Sequence, residues 1–226
     1  MSGTSCDGID VALVEIDDSG IQCIATHYQA YSDQLKSDLL SVLAGDALTA
    51  REYSQLDYQL AVDNASAIKK TLAQSKYNAE QIKAIGMHGQ TIDHQPPINT
   101  LQLGSAAHVA ALTGIDVIAD FRTLDVALGG QGAPLAPAWH QELFYQGVPV
   151  AVLNLGGIAN ISYITGEGVI GFDTGPANCL MDLWTEKHLQ QSHDESGQWA
   201  ATGTINESLL NAFMGEPYFS QQPPKS

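Results

Sequence analysis

The chain has 226 residues, 44% of them hydrophobic, with 25 acidic against 9 basic side chains and a formal net charge of -16. That length and apolar content suffice for a real core in one or two small domains, and they exclude disorder, collagen and repeat arrays. The acidic balance repels phosphate backbones and lacks the Lys/Arg cluster that an anionic membrane attracts, so neither nucleic acid nor membrane is expected as a partner.

In chain order, residues 11–17 alternate apolar and polar as a half-buried strand does, and 21–28 reads as the next strand. Ser32 is placed to cap a helix carrying Leu35, Leu39, Leu40 and Leu43, which Gly45 ends. Thr49-Ala50-Arg51-Glu52 is a capping-box sequence. The long helix after it aligns Tyr53, Leu56, Leu60, Ala67 and Leu72 near one face. Residues 82–88 form a short buried-strand candidate, 105–112 a helix closed by Gly114, and 115–119 a strand delivering Asp120 to its end. A helix over 136–145 follows, then an apolar strand over 148–155, a Gly156-Gly157 turn and a returning strand over 159–164. The last elements expected are a strand over 168–172 and a helix over 178–188. This mixed order argues for an α/β fold.

No apolar run reaches the roughly 20 residues that span a bilayer, and no signal peptide is expected. Cys6, Cys23 and Cys179 are odd in number, far apart and form no C-x-x-C pair, which fits a reduced cytoplasmic protein. The chain starts inside a Gly-rich turn and stops after Pro223-Pro224-Lys225-Ser226, so a fragment is expected.

Several stretches carry chemistry. In Gly3-Thr4-Ser5-Cys6-Asp7-Gly8, glycines let backbone N–H groups approach a ligand and the hydroxyls add donors, a phosphate cradle; an ordinary polar turn is the alternative. Asp7 and Asp10 offer oxygen ligands for Mg²⁺. Asn154-Leu155-Gly156-Gly157 is a second Gly-rich turn, with a plain hairpin as its alternative. Asp173, where a strand meets a Gly-Pro turn, serves either as a general base or as the cap of the next helix. Arg122 suits a two-pronged grip on carboxylate or phosphate, or a salt bridge to Asp120 or Asp125. Gly129-Gly130-Gln131-Gly132 reads as a hinge, a linker or a turn. Gln90 and Thr91 suit hydrogen bonds to a sugar, whereas His88, His94, His108 and His140 lack metal-ligand spacing, so no zinc site is expected. Cys6 has no local His to activate it and reads as a passive loop position.

Taken together and in order, MSGTSCDGID at 1–10, GMHGQTIDH at 86–94, DFRTLDVALGGQGAPLAP at 120–137, NLGGIANIS at 154–162, GFDTGPANCLMD at 171–182 and EPYFSQQPPKS at 216–226 resemble the anhydro-N-acetylmuramic acid kinase family. The resemblance implies a ribonuclease H-like, two-domain α/β fold of the actin/Hsp70/sugar-kinase group, incomplete at both ends. Residues 1–140 would form a first domain lacking its first strand, and 145–226 the start of a second, truncated one.

The resemblance also implies ATP and Mg²⁺ as cofactors and an amino-sugar substrate. The expected reaction converts 1,6-anhydro-N-acetylmuramic acid to N-acetylmuramic acid 6-phosphate in cytoplasmic cell-wall recycling, by a protein that forms a homodimer when full length. Carried over by motif, Gly3, Thr4, Ser5, Cys6, Asp7, Gly8, Ile9 and Asp10, with Asn154, Gly156 and Gly157, bind ATP. Asp173 is the base that activates water, while Asp7, Gln90, Thr91 and Arg122 lie near the sugar or the transferred phosphate. Ala177 departs from a glycine common in the family. The rival readings are a non-kinase ATP-switch protein of the same superfold, an ATP-independent hydrolase and a catalytically inert fragment.

Overall fold

Side-chain caps fix where the first helices begin. Ser32 Oγ accepts the Leu35 N–H at 3.2 Å and starts α1 (Asp33–Leu43). Thr49 and Glu52 form a reciprocal capping box, the Glu52 carboxylate taking the Thr49 N–H at 2.8 Å, and open α2 (Ala50–Ala73). The Thr49 hydroxyl, which donates to the same carboxylate at 2.6 Å, and then the Thr49 N–H hold the Glu52 carboxyl below its ordinary value. Ser105 caps α3 (Ala106–Thr113), which Gly114 closes in the left-handed conformation at φ +74°.

This computed structural model describes residues 6–18, 20–223 and 225. Its chain divides into two units, Met1–Ala133 and Pro134–Ser226. In the first, β1 (Gly8–Asp17) and β2 (Gly20–Ala30) pair as an antiparallel hairpin with a bulge after Leu13. β3 (Ile85–Gly86) is followed by a second antiparallel hairpin, β4 (Gln90–Gln95) with β5 (Asn99–Leu103). After α3, β6 (Val117–Ile118) returns parallel to β3, and α4 (Thr123–Ala127) follows.

Helix α2 is the spine of this unit. Leu56, Leu60 and Ala67 pack with Cys6, Ile9 and Leu103 in one buried cluster. Ala61 and Ile68, one step around the helix, pack with Met87 and Val109 in another. Tyr53, Leu56, Leu60 and Ala67 of the expected stripe thus serve the first core, while Leu72 packs on the second, beside Ala61 and Ile68, which the stripe did not include.

Two expected strands are shorter than the pattern suggested. Of residues 82–88 only Ile85–Gly86 pairs, because Asn78 caps a 3₁₀ turn over Ala79–Gln81 and the partner strand offers only Val117–Ile118. The same limit trims 115–119. The β4–β5 hairpin was not foreseen, since Gln90–Gln95 carries no apolar alternation.

The second unit is built on an antiparallel meander of β7 (Val150–Leu155), β8 (Ile158–Thr165) and β9 (Gly168–Pro176). Helix α5 (Ala136–Phe144) packs on its β8–β9 side, with Pro137 seated against Gly171 where a Cβ would collide. The expected first domain would have held α5 up to residue 140; the helix lies instead with the second unit. After α6 (Asn178–Leu189) come α7 (Glu207–Met214) and α8 (Pro217–Ser220). The described strands form sheets of two, two, two and three, so the chain is mixed α/β. No described helix is long and apolar enough to cross a membrane.

Candidate functional site

The first cluster of candidate residues opens β1. Gly3, Thr4 and Ser5 lie outside the described residues. Cys6 and Ile9 are fully buried in the α2 core, so of these two residues only the backbone can serve a ligand. Burial pushes the Cys6 thiol up, the Asp7 charge adds to this and Lys36 opposes it, which keeps the thiol protonated and unreactive. Asp7 and Asp10 are exposed. The Asp7 carbonyl accepts the Tyr31 N–H at 3.0 Å, and its carboxylate pairs with Lys36 Nζ at 3.0 Å. With the Asp7 side chain 53% exposed, that pair is solvent-screened and readily exchanged for another partner. Gly8 stands opposite Ala30, and a Cβ there would run into the Gln29 carbonyl and the Ala30 Cα. The strand thus enters with apolar side chains inward, carboxylates outward and a glycine where two backbones touch.

The second cluster gathers at the C-terminal ends of the parallel strands β3 and β6, the edge at which open α/β sheets bind ligands. A cleft of about 290 Å³ lies here, lined among others by Asp57, His88, Gln102, Ser105, Asp120 and Thr123. Asp57 accepts the Gly104 N–H at 2.8 Å and fixes the entry to α3. Thr91 Oγ1 accepts from Gln102 Nε2 at 3.4 Å, which ties it to the β4–β5 hairpin. Gln90, expected to face a sugar, is only 1% exposed, and its Nε2 donates to the Thr91 carbonyl at 3.2 Å.

Arg122 makes neither expected salt bridge among the described residues. Its Nε donates to His88 Nε2 at 2.7 Å, and its Nη1 donates to the Gly132 carbonyl. The two aspartates are committed to backbone instead: Asp120 Oδ1 accepts the Thr123 N–H at 3.3 Å and Asp125 Oδ2 accepts the Gly132 N–H at 2.7 Å. Gly132, at φ +63°, turns the segment so that its N–H meets Asp125 while its carbonyl meets Arg122. Burial pushes Arg122 down from its ordinary value, though a guanidinium this basic stays charged. Burial also pushes His88 down; the Gly89 carbonyl opposes this and the Arg122 charge adds to it. Sequence reading set His88 aside as a poor zinc ligand and missed this contact, which spans 34 residues of chain.

In the second unit, register places Asn154, Asn160 and Asp173 in one row across β7, β8 and β9. Residues directly opposite in antiparallel strands project to the same face. That is also the face of Ser162 and Gly171, against which α5 packs: His140 Nδ1 lies 2.8 Å from the buried Ser162 Oγ. The carbonyls of Gly156 and Gly157 accept the N–H groups of Ala177, Asn178 and Cys179 at 2.9–3.1 Å, which locks the turn to the start of α6.

Asp173 does not cap α6. Strand pairing continues through Gly175 and Pro176, so the carboxylate sits inside β9, and the helix begins after Ala177 with no side-chain cap. The Asp173 backbone is held twice more by the C-terminal segment. Its N–H donates to the Lys225 carbonyl at 2.9 Å, and its carbonyl accepts the Tyr218 hydroxyl at 2.9 Å. Lys225 Nζ in turn donates to the Tyr218 carbonyl at 2.8 Å and lies 4.5 Å from the Tyr218 ring centre. Burial and then the Asp173 charge push the Tyr218 phenol up, so it stays a donor. Tyr218 and Lys225 escaped the reading of individual residues; their one signal was the EPYFSQQPPKS segment.

The sequence matches the family described as anhydro-N-acetylmuramic acid kinase over residues 1–226. It is 48% identical over 232 residues to the anhydro-N-acetylmuramic acid kinase of Vibrio vulnificus (strain YJ016), an alignment covering 100% of this chain and 62% of that protein. It is 46% identical over 231 residues to the protein of that name from Vibrio cholerae serotype O1, and 45% identical over 231 residues to that of Photobacterium profundum, with the same coverage of each. The chain therefore spans 62% of the length of these curated relatives.

Proposed function

The chain belongs to the anhydro-N-acetylmuramic acid kinase family, and from that premise we propose that it carries phosphate- and sugar-handling residues of an enzyme that uses ATP to open and phosphorylate 1,6-anhydro-N-acetylmuramic acid. Water adds at C1, the C1–O6 bond breaks, and O6 takes the γ-phosphoryl group. The products are N-acetylmuramic acid 6-phosphate, ADP and a proton. The observation that carries this reading is the family match across all 226 residues, with the phosphate-loop, HGQT, DFR and DTGPAN segments all in place.

Each residue's part is carried over from the family's motifs, and its chemistry agrees with that part. Asp173, fixed through its own backbone, accepts the proton of the attacking water. Backbone and hydroxyl donors from Gly3 to Asp10 hold ATP phosphates, with Asn154, Gly156 and Gly157 supplying the second phosphate turn. The carbonyls of Gly156 and Gly157 tie the turn to α6, and its N–H groups are the donors that can serve an anion. Arg122 grips the lactyl carboxylate, and Gln90 and Thr91 shape the sugar side of the β4–β5 hairpin. Asp7 is placed near the sugar or the transferred phosphate.

Asp7 and Asp10 fit Mg²⁺, since both are exposed hard-oxygen donors and one or two carboxylates plus phosphates are its usual ligand set. Bound there, the ion would neutralise charge on the transferring phosphoryl group. A ribonuclease H-like, two-domain sugar-kinase arrangement, carried over from the family resemblance, is part of the proposal. A cytoplasmic homodimer acting without nucleic acid or membrane completes the proposal.

Turnover of the full-length protein in ¹⁸O-water tests the bond chemistry. The label is expected in the C1 hydroxyl of the sugar phosphate. Label appearing in phosphate would mean that water attacks ATP instead.

A further inference from the structure

We propose that His88 is a positioning residue for Arg122, held as the single tautomer protonated at Nδ1 and fixing the guanidinium so that its outer Nη1–Nη2 fork is left for the lactyl carboxylate. The inference rests on the reading of Arg122 as a ligand grip. Arg122 Nε carries a proton and no lone pair, so across 2.7 Å it donates and His88 Nε2 accepts. A neutral imidazole with a bare Nε2 carries its proton on Nδ1, which lies 2.8 Å from the Gly89 carbonyl oxygen, an obligate acceptor. Both contacts specify the same tautomer. An imidazolium would set one N–H against another and a positive charge beside the guanidinium, and the burial that pushes His88 down disfavours that form further.

Backbone fixes both ends of this chain of contacts. Gly89, at φ +75°, lies so close to the Leu103 carbonyl that a side chain there would collide, so β5 sets the position of the carbonyl that orients the ring. On the other side of the guanidinium, Nη1 is held by Gly132, which Asp125 anchors in turn. Nε and one Nη1 proton are thereby used. Among the described residues no hydrogen bond is made by Nη2. Both Nη2 protons and the second Nη1 proton remain for a carboxylate. An Arg ordered before its ligand arrives spends less conformational entropy on gripping it.

The test uses the full-length protein and four variants. His88→Phe keeps a planar ring but removes the acceptor, and is expected to raise the KM for anhydro-sugar roughly ten- to hundredfold with kcat and the KM for ATP little changed. His88→Gln, whose Oε1 can take the place of Nε2, is expected to recover most of the loss. Adding His88→Phe to Arg122→Ala is expected to cost little more than Arg122→Ala alone. Equal damage from Phe and Gln, or a full additional loss in the double variant, overturns the positioning role. An unchanged sugar KM in Arg122→Ala overturns the reading of Arg122 itself, and the proposal with it. Imidazole ¹⁵N shifts of the unmodified protein give a readout that no folding defect can blur. A protonated Nδ1 with a bare Nε2 is expected for His88, and the opposite tautomer contradicts the proposal.

Discussion

Asp173→Asn is expected to lower kcat by roughly 10²- to 10⁴-fold, the range that a general base contributes, while leaving the second unit folded. The two halves of that expectation come from different atoms. The lost activity belongs to the carboxylate, since an amide of the same shape cannot take the proton of the attacking water. The preserved fold belongs to the backbone, whose N–H goes to Lys225 and whose carbonyl receives the Tyr218 hydroxyl whichever side chain stands at 173. Steady-state turnover measured beside the circular dichroism spectrum and melting temperature separates the two. Near-normal turnover would remove Asp173 from the base role, and a collapsed fold would show that its side chain is structural.

Gly8→Val is expected to damage the first unit most. The added Cβ meets main-chain atoms, the Gln29 carbonyl and the Ala30 Cα, and no rotamer change can move those away. Relief requires β1 and β2 to separate next to the buried Ile9. Overpacking of this kind costs roughly 1–3 kcal/mol, occasionally more, and each kcal/mol lowers the melting temperature by about 2–4 °C at this size. The stabilisation given by Mg-ATP should fall with it, because the proposed phosphate-binding residues 6–10 run into this strand. Melting curves with and without Mg-ATP measure both effects. A variant that melts like the parent and keeps its nucleotide shift would show that the hairpin does not depend on this close approach.

The parts of the fold set by neighbouring residues were readable. Ser32, Thr49 with Glu52, and Ser105 with Gly114 act at the ends of their own helices, so their roles follow from sequence alone. Strand length was not readable in the same way, because Ile85–Gly86 is limited by a partner more than thirty residues away. The candidate site divides along the same line. Asp173 and Arg122 stand out by residue type and motif, whereas what holds them does not. His88 reaches Arg122 across 34 residues and Tyr218 reaches Asp173 across 45, and neither contact leaves a local pattern. The same limit explains Gln90, which looks like a surface donor in sequence and is buried by the hairpin it opens.

The most direct test of the proposed activity is ADP formation by the full-length protein with Mg-ATP, in the presence and absence of 1,6-anhydro-N-acetylmuramic acid. The account predicts that ADP appears only when the sugar is present and in equal amount to N-acetylmuramic acid 6-phosphate. ADP released at the same rate without sugar, or ring opening in nucleotide-free buffer, would contradict it.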